Sequence, residues 1–285
     1  MQTINQIDPL RDAVAVLKRD GALALVPTMG ALHDGHMTLV REAKKRPAHV
    51  AVSIFVNPRQ FGPSEDLDAY PRQLERDSRL LEAEGVSLLW APTVDAMYPA
   101  GYATNISVAG VSEGLCGASR AGHFDGVATV VCKLFNQVRP DMALFGEKDW
   151  QQLAVIRRMA RDLDLVAPHA DAIIGVPTVR EADDLAMSSR NAYLSAEQRA
   201  QAPTLPAAMR RAIATIEGGA SVADELAGLE AALVGGGFAS VDYAMLCDAE
   251  TLVPLSVLAG RPARLLVAAR IGKARLIDNM AVNPR

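Results

Sequence analysis

The chain has 285 residues, half of them hydrophobic, with a formal net charge of −4 and three cysteines. That length suits one large or two modest domains with a sizeable core, and the lack of a basic block excludes non-specific nucleic-acid binding through phosphate neutralisation. No apolar run approaches the ~20 residues needed to cross a bilayer, and Cys116, Cys132 and Cys247 are too few and too far apart for a disulfide framework or a zinc site.

Residues 1–8 lack a basic start followed by an apolar run, so no signal peptide is expected; the few, scattered cysteines make a reducing cytoplasm the natural setting. Asp8-Pro9 reads as an N-cap followed by proline at the first helical position; Leu10, Val14 and Leu17 continue a helical stripe that stops at Gly21. The apolar run 22–26 between Gly21 and Pro27 reads as a buried strand. A second helical pattern runs from Met37 to about Lys45. Between them lies Pro27-Thr28-Met29-Gly30-Ala31-Leu32-His33-Asp34-Gly35-His36, a strand-loop-helix junction of the kind that holds a nucleotide in an open parallel sheet. Free N–H groups at a helix start attract phosphate, and Gly30 and Gly35 allow a base or phosphate close to the main chain. His33 and His36, three apart, share one face of a first helical turn, where two imidazoles can donate to a pyrophosphate as its charge develops.

The next strand, over 50–56, is almost wholly apolar and ends at Asn57-Pro58-Arg59-Gln60. Asn57 and Gln60 there either fix hydroxyl and carboxylate groups or cap a turn. A polar connection covers 64–72, a helix 72–84, a strand 86–90, and a short strand is predicted over 105–108. The segment 113–126, rich in glycine and small residues, contains Arg120 and His123; an apolar helix over 127–138 and a strand over 142–145 follow. Gly146-Glu147-Lys148-Asp149 then opens a helix with Leu153, Ile156 and Met159 inside. A lysine at a strand's carboxyl end is either a solvated surface charge or a point charge for phosphate. A strand over 173–176 precedes a second polar element, from Val179 to Met187-Ser188-Ser189-Arg190. Its serines are hydrogen-bond donors and its arginine a fork for phosphate, with an ordinary helix cap as the alternative. From 197 to 233 the texture implies two helices broken at Gly218-Gly219, and the runs 241–246 and 265–269 imply a small antiparallel sheet. The expected fold is therefore α/β: a parallel-sheet domain over 1–178 and a smaller α+β domain over 179–285.

His-x-Gly-His after a strand resembles the nucleotidylyltransferase superfamily signature. The longer string 27–36 resembles the pantoate–β-alanine ligase (pantothenate synthetase) family. Three further strings fit that family in its order: Ser53-Ile54-Phe55-Val56-Asn57-Pro58 with Gln60-Phe61-Gly62, Phe145-Gly146-Glu147-Lys148-Asp149 with Gln151-Gln152, and Met187-Ser188-Ser189-Arg190-Asn191. The resemblance implies a Rossmann-like fold and a homodimer. It also implies ATP-dependent condensation of pantoate with β-alanine through a pantoyl adenylate, with Mg²⁺ carried mainly on the phosphate oxygens. It assigns ATP to Met29, Gly30, Ala31, Leu32, His33, Asp34, Gly35 and His36, to Gly146, Glu147, Lys148 and Asp149, and to Val179, Met187, Ser188, Ser189 and Arg190. Gln60 and Gln152 are implied to hold pantoate, with Asn57, Arg120 and His123 on the same substrate side, and His36, His33, Lys148 and Arg190 to be catalytic. The segment 113–126 resembles the family's flexible wall over the site. Two departures are Asp184 and Ala121, where the family has glycine and proline. Arg275-Leu276-Ile277-Asp278-Asn279 also resembles the family, with no mechanism readable from it. Rival readings are an adenylyltransferase for a phosphate-bearing acceptor, which needs a cationic pocket, and a nucleotide sensor without turnover.

Overall fold

A computed structural model describes residues 1–62, 67, 70–258 and 260–283. Of the polar connection expected over 64–72, residues 64–66, 68 and 69 lie outside the described residues. The chain divides into two compact units. The first comprises Met1–Glu113, Arg120–Glu147 and Gln152–Pro177; the second comprises Gly114–Ser119, Lys148–Gln151 and Thr178–Arg285.

In the first unit β1 (Gln2–Ile4), β2 (Ala22–Thr28), β3 (Ala48–Ile54), β4 (Leu88–Trp90), β5 (Met142–Gly146) and β6 (Ile173–Val176) form one parallel sheet in the order β1-β4-β3-β2-β5-β6. Leu23, Ala24, Leu25 and Val26 are all 0% exposed, because both faces of a parallel sheet are covered by its crossover helices. The helices are α1 (Ile7–Asp20), α2 (Asp34–Lys44), α3 (Leu74–Ala83) and α4 (Val94–Met97), then α5 (Leu115–Ser119), which groups with the second unit, α6 (His123–Val138) and α7 (Trp150–Asp162). Met37, Val40 and Leu81 pack on one sheet face with Ala24, Val26 and Val52. From α6, Gln137 accepts a 3.0 Å hydrogen bond from the Trp90 indole of β4. The chain leaves β2 for β3 on one side and β5 for β6 on the other, so their carboxyl ends flank the point where strand order reverses.

Several local expectations need correction. Helix α1 starts at Ile7 with Gln6 as its cap, so Pro9 sits in the first turn, where its missing N–H has no helical partner to lose. β1 carries no apolar run and leaves no mark in the sequence; it is held to β4 by backbone pairing, Gln2 opposite Leu88. No strand forms over 105–108, and the Ile106 N–H goes to the Thr129 hydroxyl at 2.9 Å rather than to a ladder.

The second unit holds α8 (Ala196–Gln201), α9 (Thr204–Glu217) and α10 (Val222–Gly235), followed by β7 (Ser240–Asp248), β8 (Ala263–Ile271) and β9 (Ala274–Val282) in an antiparallel sheet ordered β7-β8-β9. Three helices replace the expected two, because Pro203 cannot continue α8 and becomes the cap of α9. Its core joins Leu205, Met209, Leu233, Leu265, Val267 and Leu276. Side-chain bonds tie the two outlying segments into this unit. The Gln151 amide accepts from the Cys116 N–H at 3.0 Å and donates to the Gly114 carbonyl at 3.3 Å. The Trp150 indole donates to the Ala249 carbonyl at 2.9 Å, with the Arg264 guanidinium 3.5 Å from its ring centroid.

In the first unit, Asp141 joins the starts of β2 and β5, accepting from Lys18 Nζ at 2.9 Å and from the Leu23 N–H at 2.8 Å. Burial alone raises its pKa; the Lys18 and Leu23 donors and the Lys18 charge outweigh this and hold the carboxyl below the usual range. A depressed folded-state pKa gives stability that is present above the unfolded value of about 4 and lost as pH falls through the folded one. Asp141→Asn should therefore be less stable than the parent in denaturant titrations at neutral pH, with the gap closing on acidification. A gap independent of pH contradicts this.

Candidate active site

The junction after β2 is set by its backbone. Gly30 has φ +83° and Ala31 φ +51°. A Cβ on Gly30 would also sit 3.1 Å from Asp77 Oδ2 and from Ile54, so glycine is required there twice over. Asp77, wholly buried on α3, accepts the N–H groups of Ala31 at 2.8 Å and Leu32 at 3.0 Å. The Thr28 hydroxyl accepts from Gly30 at 3.2 Å while donating to the Ser53 carbonyl. His33 is the N-cap of α2 rather than part of its first turn: its Nδ1 accepts from the Gly35 N–H at 3.1 Å, and His36 Nδ1 accepts from the His33 N–H at 3.4 Å. The two imidazoles thus form a capping box with ring centroids 4.1 Å apart. The expectation of open backbone N–H groups is corrected, since those of Gly30 to His33, of Gly35 and of His36 have partners in or beside the loop. With Nδ1 accepting in each ring, the hydrogen-bond pattern assigns the proton of the neutral form to Nε2.

Asn57, Gln60, Arg120 and His123 come together in one network after β3. The Asn57 amide, 0% exposed, donates to Gln60 Oε1 at 2.9 Å and to the Gly126 carbonyl at 3.1 Å. Its Oδ1 accepts from the Arg59 N–H at 3.2 Å and from the Tyr98 hydroxyl at 2.9 Å. Burial pushes the Tyr98 pKa up to about 12, so the phenol keeps that proton. Asn57 therefore has all four hydrogen-bonding positions filled within the protein, and its bond to the Arg59 N–H is that of a turn cap. Through Gln60 Oε1 it also fixes which way the Gln60 amide is turned. Arg120 Nη2 at 3.3 Å and His123 Nδ1 at 2.8 Å both reach the Gln60 carbonyl, and the Arg120 and His123 side chains lie 2.8 Å apart. These two brace the Gln60 backbone. Gln152 follows in the first turn of α7.

Of the remaining candidates, Gly146 and Glu147 group with the first unit, and Lys148, Asp149 and the residues from Val179 to Arg190 with the second. Glu147 to Asp149 form a 3₁₀ turn after β5, and Lys148 Nζ lies 4.0 Å from Asp149. Ser188 caps a second 3₁₀ turn, Ser189–Tyr193, accepting from the Arg190 N–H at 3.2 Å and keeping its hydroxyl proton to donate. Val179 accepts from the Met187 N–H at 2.9 Å, closing a small hairpin that delivers Ser188. Asp184 has φ +69°, a conformation glycine adopts without strain and aspartate tolerates. Its carboxylate pairs with Arg210 at 2.8 Å and lies 3.7 Å from Arg180, so its pKa is held low by Arg210 first. The departure from the family's glycine thus neutralises its own charge. The segment 113–126 is not one open loop: it contains α5, with Leu115 and Cys116 buried.

Sequence reasoning missed Asp77, Gly126 and Tyr98. Asp77 was detectable as a carboxylate one turn before Leu81 on the buried face of α3. Among the described residues no group of three or more His, Cys, Asp or Glu side chains is placed to hold a metal ion. All three cysteines are buried, and burial pushes the Cys132 thiol up and that of Cys247 up to about 11, which disfavours a thiolate nucleophile.

The sequence model of the family described as "Pantoate-beta-alanine ligase" matches residues 2–281. A pantothenate synthetase of Novosphingobium aromaticivorans is 73% identical over the whole of both chains. The crystal structure of the pantothenate synthetase of Thermus thermophilus superposes with a TM-score of 0.91 at 49% identity, covering all of both chains. That of a pantoate-beta-alanine ligase of Francisella tularensis, complexed with beta-gamma ATP and beta-alanine, gives 0.82 at 32% identity, covering 98% of this chain and 97% of that one.

Gly126 generates the sharpest test of the Gln60 network. A Cβ there would lie 2.1 Å from the Arg59 carbonyl oxygen and 2.9 Å from the Gln60 N. Gly126→Ala must push α6 off the Asn57–Gln60 turn, at a cost of about 1–3 kcal/mol for overpacking. An unchanged urea midpoint would show that helix and turn are not in contact.

Proposed function

The chain belongs to the pantoate–β-alanine ligase family and joins pantoate to β-alanine with ATP, and we propose that it does so through a pantoyl adenylate held without a covalent bond to the protein. The observation that carries the mechanism is the histidine pair locked through both Nδ1 atoms at the end of β2. In the first step a pantoate carboxylate oxygen attacks the α-phosphorus of ATP. The bond to the bridging oxygen breaks and pyrophosphate leaves with the electron pair. This step needs donors fixed where charge develops, not a protein nucleophile.

His33 and His36 present Nε2 protons to the departing charge. Lys148, Ser188, Ser189 and Arg190 form the second grip. The loop Met29 to His36, with Gly146, Glu147, Asp149, Val179 and Met187, completes the nucleotide's surroundings. Mg²⁺, as the resemblance implies, would enter with ATP, carried mainly on its phosphate oxygens. In the second step the β-alanine amine attacks the acyl carbon and AMP leaves. Gln60 and Gln152 hold pantoate. Asn57, Arg120 and His123 act through Gln60, by fixing its amide and its carbonyl. No helix among the described residues is long and apolar enough to cross a membrane. A homodimer working in the cytoplasm completes the reading, on the resemblance.

Purified protein given MgATP, pantoate and β-alanine should release AMP and pantothenate in equal amounts; ADP as the product contradicts adenylate chemistry. His33→Ala and His36→Ala should each lower turnover by ~10²–10³, as for other lost electrostatic donors. Both also remove part of the α2 cap, so His33→Asn and His36→Asn serve as controls: asparagine keeps an acceptor near the Nδ1 position and has no Nε2 proton. The Asn variants should regain thermal stability and not turnover. Turnover restored together with stability would reduce the histidines to caps.

A further inference from the structure

The string that carried family resemblance but no mechanism, Arg275 to Asn279, lies on β9 and ends in two buried polar residues, Asp278 at 2% and Asn279 at 4% exposure. Buried polar groups at adjacent strand positions point to opposite faces and need partners on both. Asn279 Nδ2 donates to the backbone carbonyl of Lys148 at 2.8 Å. Asp278 takes Arg180 in a two-pronged pair, Nη1 to Oδ2 at 2.8 Å and Nη2 to Oδ1 at 2.9 Å, and its Oδ1 also accepts the Asn279 N–H at 2.7 Å.

Arg180 is the root of the hairpin that presents Ser188 to Arg190. Its Nη1 donates to the Asp184 carbonyl at 2.9 Å, its backbone bridges Ala186, and Val179 beside it pairs with Met187. One dipeptide on one strand thus braces two elements far apart in sequence, the Lys148 turn and the Ser188–Arg190 turn. Resting on the reading above that both elements grip ATP, we propose that Asp278 and Asn279 are a positioning pair for the phosphate-binding groups, Asn279 acting through Lys148 and Asp278 through Arg180. Neither touches substrate. The carbonyl bond fixes where the Lys148 side chain starts, and a donor displaced by about an ångström loses much of its effect on a transition state.

The test is a double-mutant cycle of Asn279→Ala with Lys148→Ala, read as kcat and KM for ATP and for β-alanine. Asn279→Ala should lower kcat/KM for ATP on the order of 10-fold to 10²-fold while leaving KM for β-alanine unchanged. In the Lys148→Ala background the same change should add nothing. Asn279→Asp, equal in size but without the N–H donor, repeats the measurement if the alanine variant does not fold, and should show the same loss. If Lys148→Ala is damaging and Asn279→Ala is silent or fully additive with it, the positioning role is wrong. If Lys148→Ala is itself silent, the reading of Lys148 as a phosphate donor is wrong and the positioning role falls with it.

Discussion

A buried carboxylate holds the end of β2 in shape. Asp77 takes the N–H groups of Ala31 and Leu32 inside the first unit, where an unpaired charge or an unpaired amide would each be costly. The two bonds fix a backbone that passes through φ +83° at Gly30 and +51° at Ala31, the second a conformation that residues with a Cβ rarely adopt. Everything downstream inherits that geometry. The loop arrives at His33 ready to cap α2, His36 closes the capping box, and both imidazoles lose their rotational freedom. The order of dependence is carboxylate, loop, cap, then chemistry.

The same logic governs Gln60. A glutamine amide can point either end at a ligand, and nothing in its own rotamers chooses. Asn57 makes the choice by occupying Oε1, and Tyr98, the Gly126 carbonyl and the Arg59 N–H fix Asn57 in turn. The absence of a side chain at Gly126 lets α6 come close enough for this. The Gln60 amide is thus oriented by the residues around it, a division of labour familiar from sites in which supporting bonds orient the contacting groups.

Much of this was legible in the sequence, for physical reasons. An apolar run such as 22–26, bounded by glycine and proline, favours a buried strand, and Gly21, Pro47 and Gly85 mark where helices stop. The family strings located His33, His36, Gln60 and Lys148 and supplied the substrates, which no periodicity encodes. What escaped were features whose signal lies in the partner. β1 is three residues without an apolar run and exists through its pairing with β4. β9 sets Arg275, Asp278 and Asn279 among core residues, and what these three do is visible only in their partners. Asp77 lies on the buried face of α3, one turn before Leu81, but the two N–H groups that it holds cannot be read from that spacing.

The central claim is that this chain activates pantoate by fixed electrostatics, with no covalent intermediate on the protein. It is tested most directly by following labelled pyrophosphate into ATP with pantoate and Mg²⁺ present and β-alanine absent. The account predicts exchange that vanishes when pantoate is left out and label that never remains on the denatured protein. Exchange that requires β-alanine, or pantoyl label trapped covalently on the chain, would contradict it.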